Sequence, residues 1–79
     1  MIDTTFVPNQ SIIHKKIASK IREIRKSKGI TQEKVALDAD LNRAYIGYIE
    51  RGERKPSVET LEKIAKVLKI DLKELFVFE

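Results

Sequence analysis

Residues 30–52 read ITQEKVALDADLNRAYIGYIERG, a pattern of two short helices joined by a turn. Thr31 is a good N-cap. Ile30 before it and Val35 after it are spaced for a hydrophobic staple that fixes how the chain enters a helix. Lys34 stands where a capping box would want Glu, so the box is absent. The spacing predicts a short helix over residues 32–39. Asp40-Leu41-Asn42 then makes a turn, and Asn42 caps a second short helix over residues 43–51 that points Ile46 and Ile49 inward. Gly52 stops it. If two such helices cross steeply their backbones come close, and Ala36 is the small residue that allows the contact. Val35, Ala39, Leu41, Ile46 and Ile49 would fill the local core.

Outward from this pair the pattern stays helical. Ile13, Ile17, Ile21 and Ile24 recur at spacings of four, four and three, one apolar stripe on a helix that begins near Ser11 and ends at Gly29. Its other faces carry Lys15, Lys16, Lys20, Arg22, Lys26 and Lys28. After the loop Glu53-Arg54-Lys55-Pro56, Ser57 caps a fourth helix with Leu61, Ile64, Ala65 and Leu68 on one face. Asp71 opens a short fifth helix, with Glu74 completing a capping box and Ile70 and Leu75 forming a staple. Only the last few residues, 75–78, hint at strand alternation. Residues 1–10 contain Pro8 and no period, and are expected to form a loose arm. The fold class is therefore all-α: a compact five-helix domain over residues 11–79 behind a flexible arm.

Composition narrows the function. The chain has 79 residues, which suits one domain with a modest core. It opens with Met1 and carries no tag or linker scar, so the expectation is a whole protein. It has no cysteine and one histidine. Disulfides and thiolate metal sites are thereby excluded, and His14 reads as a surface residue. No metal, cofactor or small-molecule ligand is expected. Catalysis would need converging acids, bases or metal ligands, or a Gly-rich phosphate loop, and none is present, so the chain is not expected to be an enzyme. No apolar run approaches a membrane span and no signal peptide is visible, which gives a cytoplasmic expectation. The net charge is +4. It is unevenly placed: residues 1–58 balance to +5 and residues 59–79 to −1. A phosphate-facing surface would place base in this way, although solvated lysines on helices give the same count.

The central pair has the spacing of a helix-turn-helix unit. Thr31-Gln32-Glu33-Lys34-Val35-Ala36, Leu41-Asn42-Arg43-Ala44-Tyr45-Ile46, Ile49-Glu50-Arg51-Gly52 and Pro56-Ser57 together resemble the Xre/phage-repressor class of helix-turn-helix proteins. The resemblance spans residues 17–76, and within the class residues 42–52 look most like controller proteins of restriction–modification systems. One departure is Asp40, where the class often has Gly. Asp tolerates a left-handed conformation at moderate cost, so the turn survives.

The resemblance implies a sequence-specific DNA-binding regulator. Arg43, Ala44 and Tyr48 match positions whose side chains reach base edges, and Gly47 beside them would let the backbone approach closely. Arg43 can bond guanine O6 and N7 together, and Ala44 can touch a thymine methyl. Gln32 sits at the start of the second helix, where free N–H groups favour a phosphate. Asn42, Tyr45, Arg54 and Lys55 flank the same surface as phosphate contacts. The class also pairs positions Arg25 and Glu50 as an ion pair between helices one and three, a structural role. Duller readings stand beside these. Arg43 would then be a solvated charge, Tyr48 a partly packed surface aromatic, Tyr45 a core-edge residue, and Arg54 and Lys55 ordinary loop charges.

A single recognition helix reads only a few base pairs, so a homodimer on palindromic double-stranded DNA is expected, with half-sites about 34 Å apart. Leu72, Leu75, Phe76, Val77 and Phe78 crowd a helix too short to bury them all, which places a twofold interface at the C-terminal end through Leu72, Leu75, Phe76 and Phe78; the alternative is that the tail folds back and completes its own monomer's core. The rival expectation is the same fold serving as an antitoxin or protein-interaction module.

Overall fold

A computed structural model describes residues 12–78, so the arm expected over residues 1–10 lies outside the described residues. Four α-helices follow one another: α1 (Ile12–Ser27), α2 (Gln32–Ala39), α3 (Arg43–Glu50) and α4 (Val58–Leu68). A single 3₁₀ segment over Leu72–Phe76 stands where a fifth helix was expected. Five residues form too few i→i+4 bonds to offset the cost of helix nucleation, so the chain closes the tighter i→i+3 turn instead. No strand occurs among the described residues.

The N-termini follow local chemistry. Thr31 Oγ1 accepts from the Lys34 N–H at 3.0 Å, Asn42 Oδ1 from Ala44 at 2.8 Å, and Ser57 Oγ from Thr60 at 3.1 Å. Each bond satisfies a donor that the first helical turn leaves unpaired.

All four α-helices end in one way. Gly29, Asp40, Gly52 and Lys69 have φ between +58° and +76°. The residue after each donates back to a carbonyl five positions earlier: Ile30 to Arg25, Leu41 to Ala36, Glu53 to Tyr48 and Ile70 to Ala65. This is the Schellman arrangement, which turns the chain sharply and pairs otherwise orphaned carbonyls. Glycine adopts the required backbone freely. Asp40 and Lys69 adopt it against a Cβ penalty.

The core gathers Ile17, Ile21, Val35, Ala36, Ile46, Ile49, Leu61, Ile64, Ala65, Leu68 and Leu75. Ala36 is 3% exposed, in keeping with a small residue where α2 meets α3 and α4. The stripe on α1 is shorter than its sequence suggests. Ile17 and Ile21 are buried and Ile24 is half-buried, whereas Ile13 is 43% exposed.

Leu75 corrects one interface assignment. It is 0% exposed and completes its own chain's core between α1 and α4, so it offers no surface to a second copy. The 3₁₀ turn drives this, because it aims Leu75 inward and leaves Phe76 and Val77 at 42% and 48% exposure. Leu72 and Phe78 lie half-buried against the core.

Candidate nucleic-acid interface

Helix α3 presents two rows of side chains. Ala44 and Tyr48 form one, four residues apart. Arg43, Gly47 and Arg51 form the neighbouring row at the same spacing. Arg43, Ala44, Tyr48 and Arg51 are exposed. Asn42 and the loop residues Glu53, Arg54 and Lys55 are exposed as well. Tyr45 is half-buried and packs against the core, so its ring serves the fold whatever its hydroxyl contacts.

Two residues are placed differently from the simplest expectation. Gly47 is buried, because the Arg51 side chain lies down into the space that glycine leaves open. A Cβ built on Gly47 would sit 3.1 Å from Arg51 Nη1 and 4.0 Å from Gln32 Oε1. The backbone at Gly47 can therefore meet a ligand only after Arg51 moves. Gln32 is not simply an open helix start either. Its Nε2 donates to Glu50 Oε1 at 3.0 Å, which leaves one amide hydrogen and the backbone N–H for anything outside.

The support behind this face is a buried polar network. Arg25 Nε donates to Glu50 Oε2 at 2.6 Å, and an Nη2 hydrogen bonds Oε1 at 3.0 Å. Arg25 Nη1 donates to the Ile30 carbonyl at 2.7 Å. The Arg25 and Glu50 residues are 8% and 3% exposed. The fork-to-fork geometry satisfies a charge that burial would otherwise penalise, and it fixes α3 against α1. No buried side-chain polar atom lacks a partner among the described residues.

Arg51 is the residue that motif reading overlooked. Its Nε donates to Glu53 Oε2 at 3.1 Å and its Nη2 to Oε1 at 3.2 Å. Those bonds raise the Arg51 pKa above its ordinary value, in a group that is cationic at any working pH. Its guanidinium carbon lies 5.2 Å from the Tyr48 ring centroid, and that of Arg54 lies 5.1 Å from the same centroid. Two guanidiniums thus share one aromatic ring, a cation–π arrangement. The available signal was the i+4 spacing from Gly47, which places Arg51 on the same ridge as Arg43.

A helix packed on the helix before it across a short turn, with Arg43, Ala44 and Tyr48 on its open face and Arg51 and Arg54 just past its end, is the geometry of groove docking. Residues 21–75 match the family described as "Helix-turn-helix". The chain belongs to this helix-turn-helix family. Control protein C.BamHI of Bacillus amyloliquefaciens is 48% identical over 60 residues, covering 75% of this chain and 74% of its own. The crystal structure of the restriction–modification controller protein C.AhdI from Aeromonas hydrophila superposes with a TM-score of 0.77 at 40% identity. That match covers 78% of this chain and 94% of the other. The controller protein C.Esp1396I, solved as a tetramer on its natural 35 base-pair operator, superposes with a TM-score of 0.75 at 34% identity, covering 86% and 100%. Members of this helix-turn-helix family are DNA-binding transcription regulators. Among the described residues no group of three or more His, Cys, Asp or Glu side chains could hold a metal. None of the described helices is long and apolar enough to cross a membrane.

Proposed function

We propose that this helix-turn-helix protein is a transcriptional regulator of the restriction–modification controller type, binding palindromic operator DNA as a homodimer in the cytoplasm. The observation that carries the reading is the exposed Arg43–Tyr48 face of α3, held rigid by the Arg25–Glu50 pair behind it. Arg43 enters the major groove at the start of α3 and bonds a guanine. Ala44 lies against the neighbouring base, and Tyr48 follows on the same row. Asn42, Arg54 and Lys55, with the N-terminus of α2 at Gln32, hold phosphates on either side and set the depth of docking. Asn42 keeps its amide hydrogens for this, because only its oxygen is used in capping Ala44.

Phe76 and Leu72, flanked by Phe78, form the centre of the twofold contact. They lie at the nearly neutral end of the chain, so two copies meet without strong repulsion. Similarity to a controller solved as a tetramer on its operator supports assembly on DNA.

The test is the salt dependence of binding to two duplexes, one selected from random DNA by the wild-type protein and one a scramble of the same composition. Binding to both weakens steeply with salt because phosphate contacts release counterions. The selected duplex stays tighter at every salt concentration. Equal affinity for the two would remove sequence reading, affinity indifferent to salt would remove the phosphate contacts, and binding to neither duplex would remove DNA as the partner.

A further inference from the structure

Arg51 is held by three features at once. Glu53 grips its Nε and Nη2, the Tyr48 ring lies beneath its guanidinium, and Gly47 leaves the space its Nη1 fills. The row Arg43, Gly47, Arg51 places this cation on the ridge that meets DNA in the proposed function, on which the present inference rests. Arg54 crowds the same ring, and the Glu53 carboxylate is the one anion beside these two like charges among the contacts described. We propose that Glu53 is an internal competitor of DNA: it holds Arg51 folded over Gly47, and a backbone phosphate must displace the carboxylate to engage that arginine.

The chemistry matches on both sides. A phosphate and a carboxylate each accept the guanidinium fork in two parallel hydrogen bonds, so one replaces the other without a change of geometry. The Arg51–Glu53 pair is exposed, with side chains 54% and 50% accessible, and an exposed pair is weak enough to exchange. Release of Arg51 also uncovers Gly47, which opens the helix backbone to the groove. The Tyr48 ring is the positioning element, since it keeps Arg51 and Arg54 near the surface in either state. Displaced Glu53 remains close to the phosphates, so the device lowers affinity for every sequence alike and leaves base preference untouched.

The experiment is a double-mutant cycle on the full chain with Glu53→Gln, Arg51→Ala and the pair combined, measured on the selected and scrambled duplexes over a salt range. Glu53→Gln is expected to tighten binding to both duplexes by the same factor, about two- to fivefold. It is also expected to steepen the log–log salt slope by about one, because Arg51 now meets phosphate without freeing a carboxylate. In the Arg51→Ala background the same change is expected to gain less than half as much. A gain that persists there would show Glu53 acting by plain repulsion and would overturn the proposal, as would unchanged or weaker binding by Glu53→Gln alone. If the wild-type protein binds neither duplex, the proposed function fails. If it binds both and the cycle shows no coupling, only this inference fails.

Discussion

Arg25 and Glu50 stand 25 positions apart in sequence and meet through two parallel hydrogen bonds at 2.6 and 3.0 Å in the interior. The pair joins the end of α1 to the end of α3, and Gln32 and the Ile30 carbonyl tie α2 into the same network. The recognition helix therefore inherits its orientation from both helices behind it. A buried pair of this kind contributes little relative to a well-packed apolar replacement, but removing one partner strands the other charge.

Arg25→Ala and Glu50→Ala are each expected to lower stability by about 3–5 kcal/mol. Urea unfolding checks this. The double mutant is expected to lose much less than the sum of the two, since no charge is then left unpaired. Additive losses would mean that the charges do not depend on one another.

Leu75 and Phe76 are neighbours with opposite expected effects. Leu75→Ala empties a fully buried site and is expected to cost about 2–5 kcal/mol in unfolding experiments. Phe76→Ser changes an exposed position, so it is expected to leave the monomer folded and to shift sedimentation from dimer to monomer at micromolar concentration. A dimer that survives Phe76→Ser would place the interface elsewhere.

Lys69 and Asp40 hold left-handed backbone conformations at exposed helix ends. Lys69→Gly and Asp40→Gly are each expected to stabilise the fold by about 0.5–1 kcal/mol, the Cβ strain relieved exceeding the extra freedom that glycine gains in the unfolded chain. Thermal melts of the single variants check the sign. Lower melting temperatures would mean that the side chains contribute contacts that outweigh the strain.

Gly47→Ala separates fold from function. An alanine inside a helix is expected to stabilise it by about 0.5–1 kcal/mol. The new methyl group meets Arg51 Nη1 at 3.1 Å, a flexible side-chain end that can swing away. It also holds the α3 backbone off the groove, so binding to the selected duplex is expected to weaken while the melting temperature rises. A variant that is more stable and binds as well as wild type would remove Gly47 from the docking surface.

What the sequence revealed follows from the range of each interaction. Thr31, Asn42 and Ser57 act on the backbone within three residues, so the starts of α2, α3 and α4 could be read directly. Gly29 and Gly52 marked two helix ends, whereas Lys69 ends α4 in the same geometry with no signal in its residue type. The choice between Leu75 and Phe76 was hidden because a run of apolar residues does not state whether the turn is α or 3₁₀. Gln32 meeting Glu50, and Arg51 lying over Gly47, depend on how α2 and α3 cross and on side chains filling leftover space. Neither has a local pattern. The exposure of Arg43, Ala44 and Tyr48 was legible because it follows from which residues the apolar face of α3, Ile46 and Ile49, turns inward, whereas their role at bases came from the family resemblance.

In the proposed function α3 reads bases through Arg43. Selection of bound sites from random DNA, run in parallel with the wild-type protein and Arg43→Ala, checks this role. Wild type is expected to enrich a palindrome whose half-sites lie about one helical turn apart, each containing an invariant guanine. Arg43→Ala is expected to lose preference at that guanine alone, with affinity for the wild-type site reduced by about 1–3 kcal/mol. Enrichment of the same guanine by both proteins at equal affinity would mean that Arg43 does not read a base.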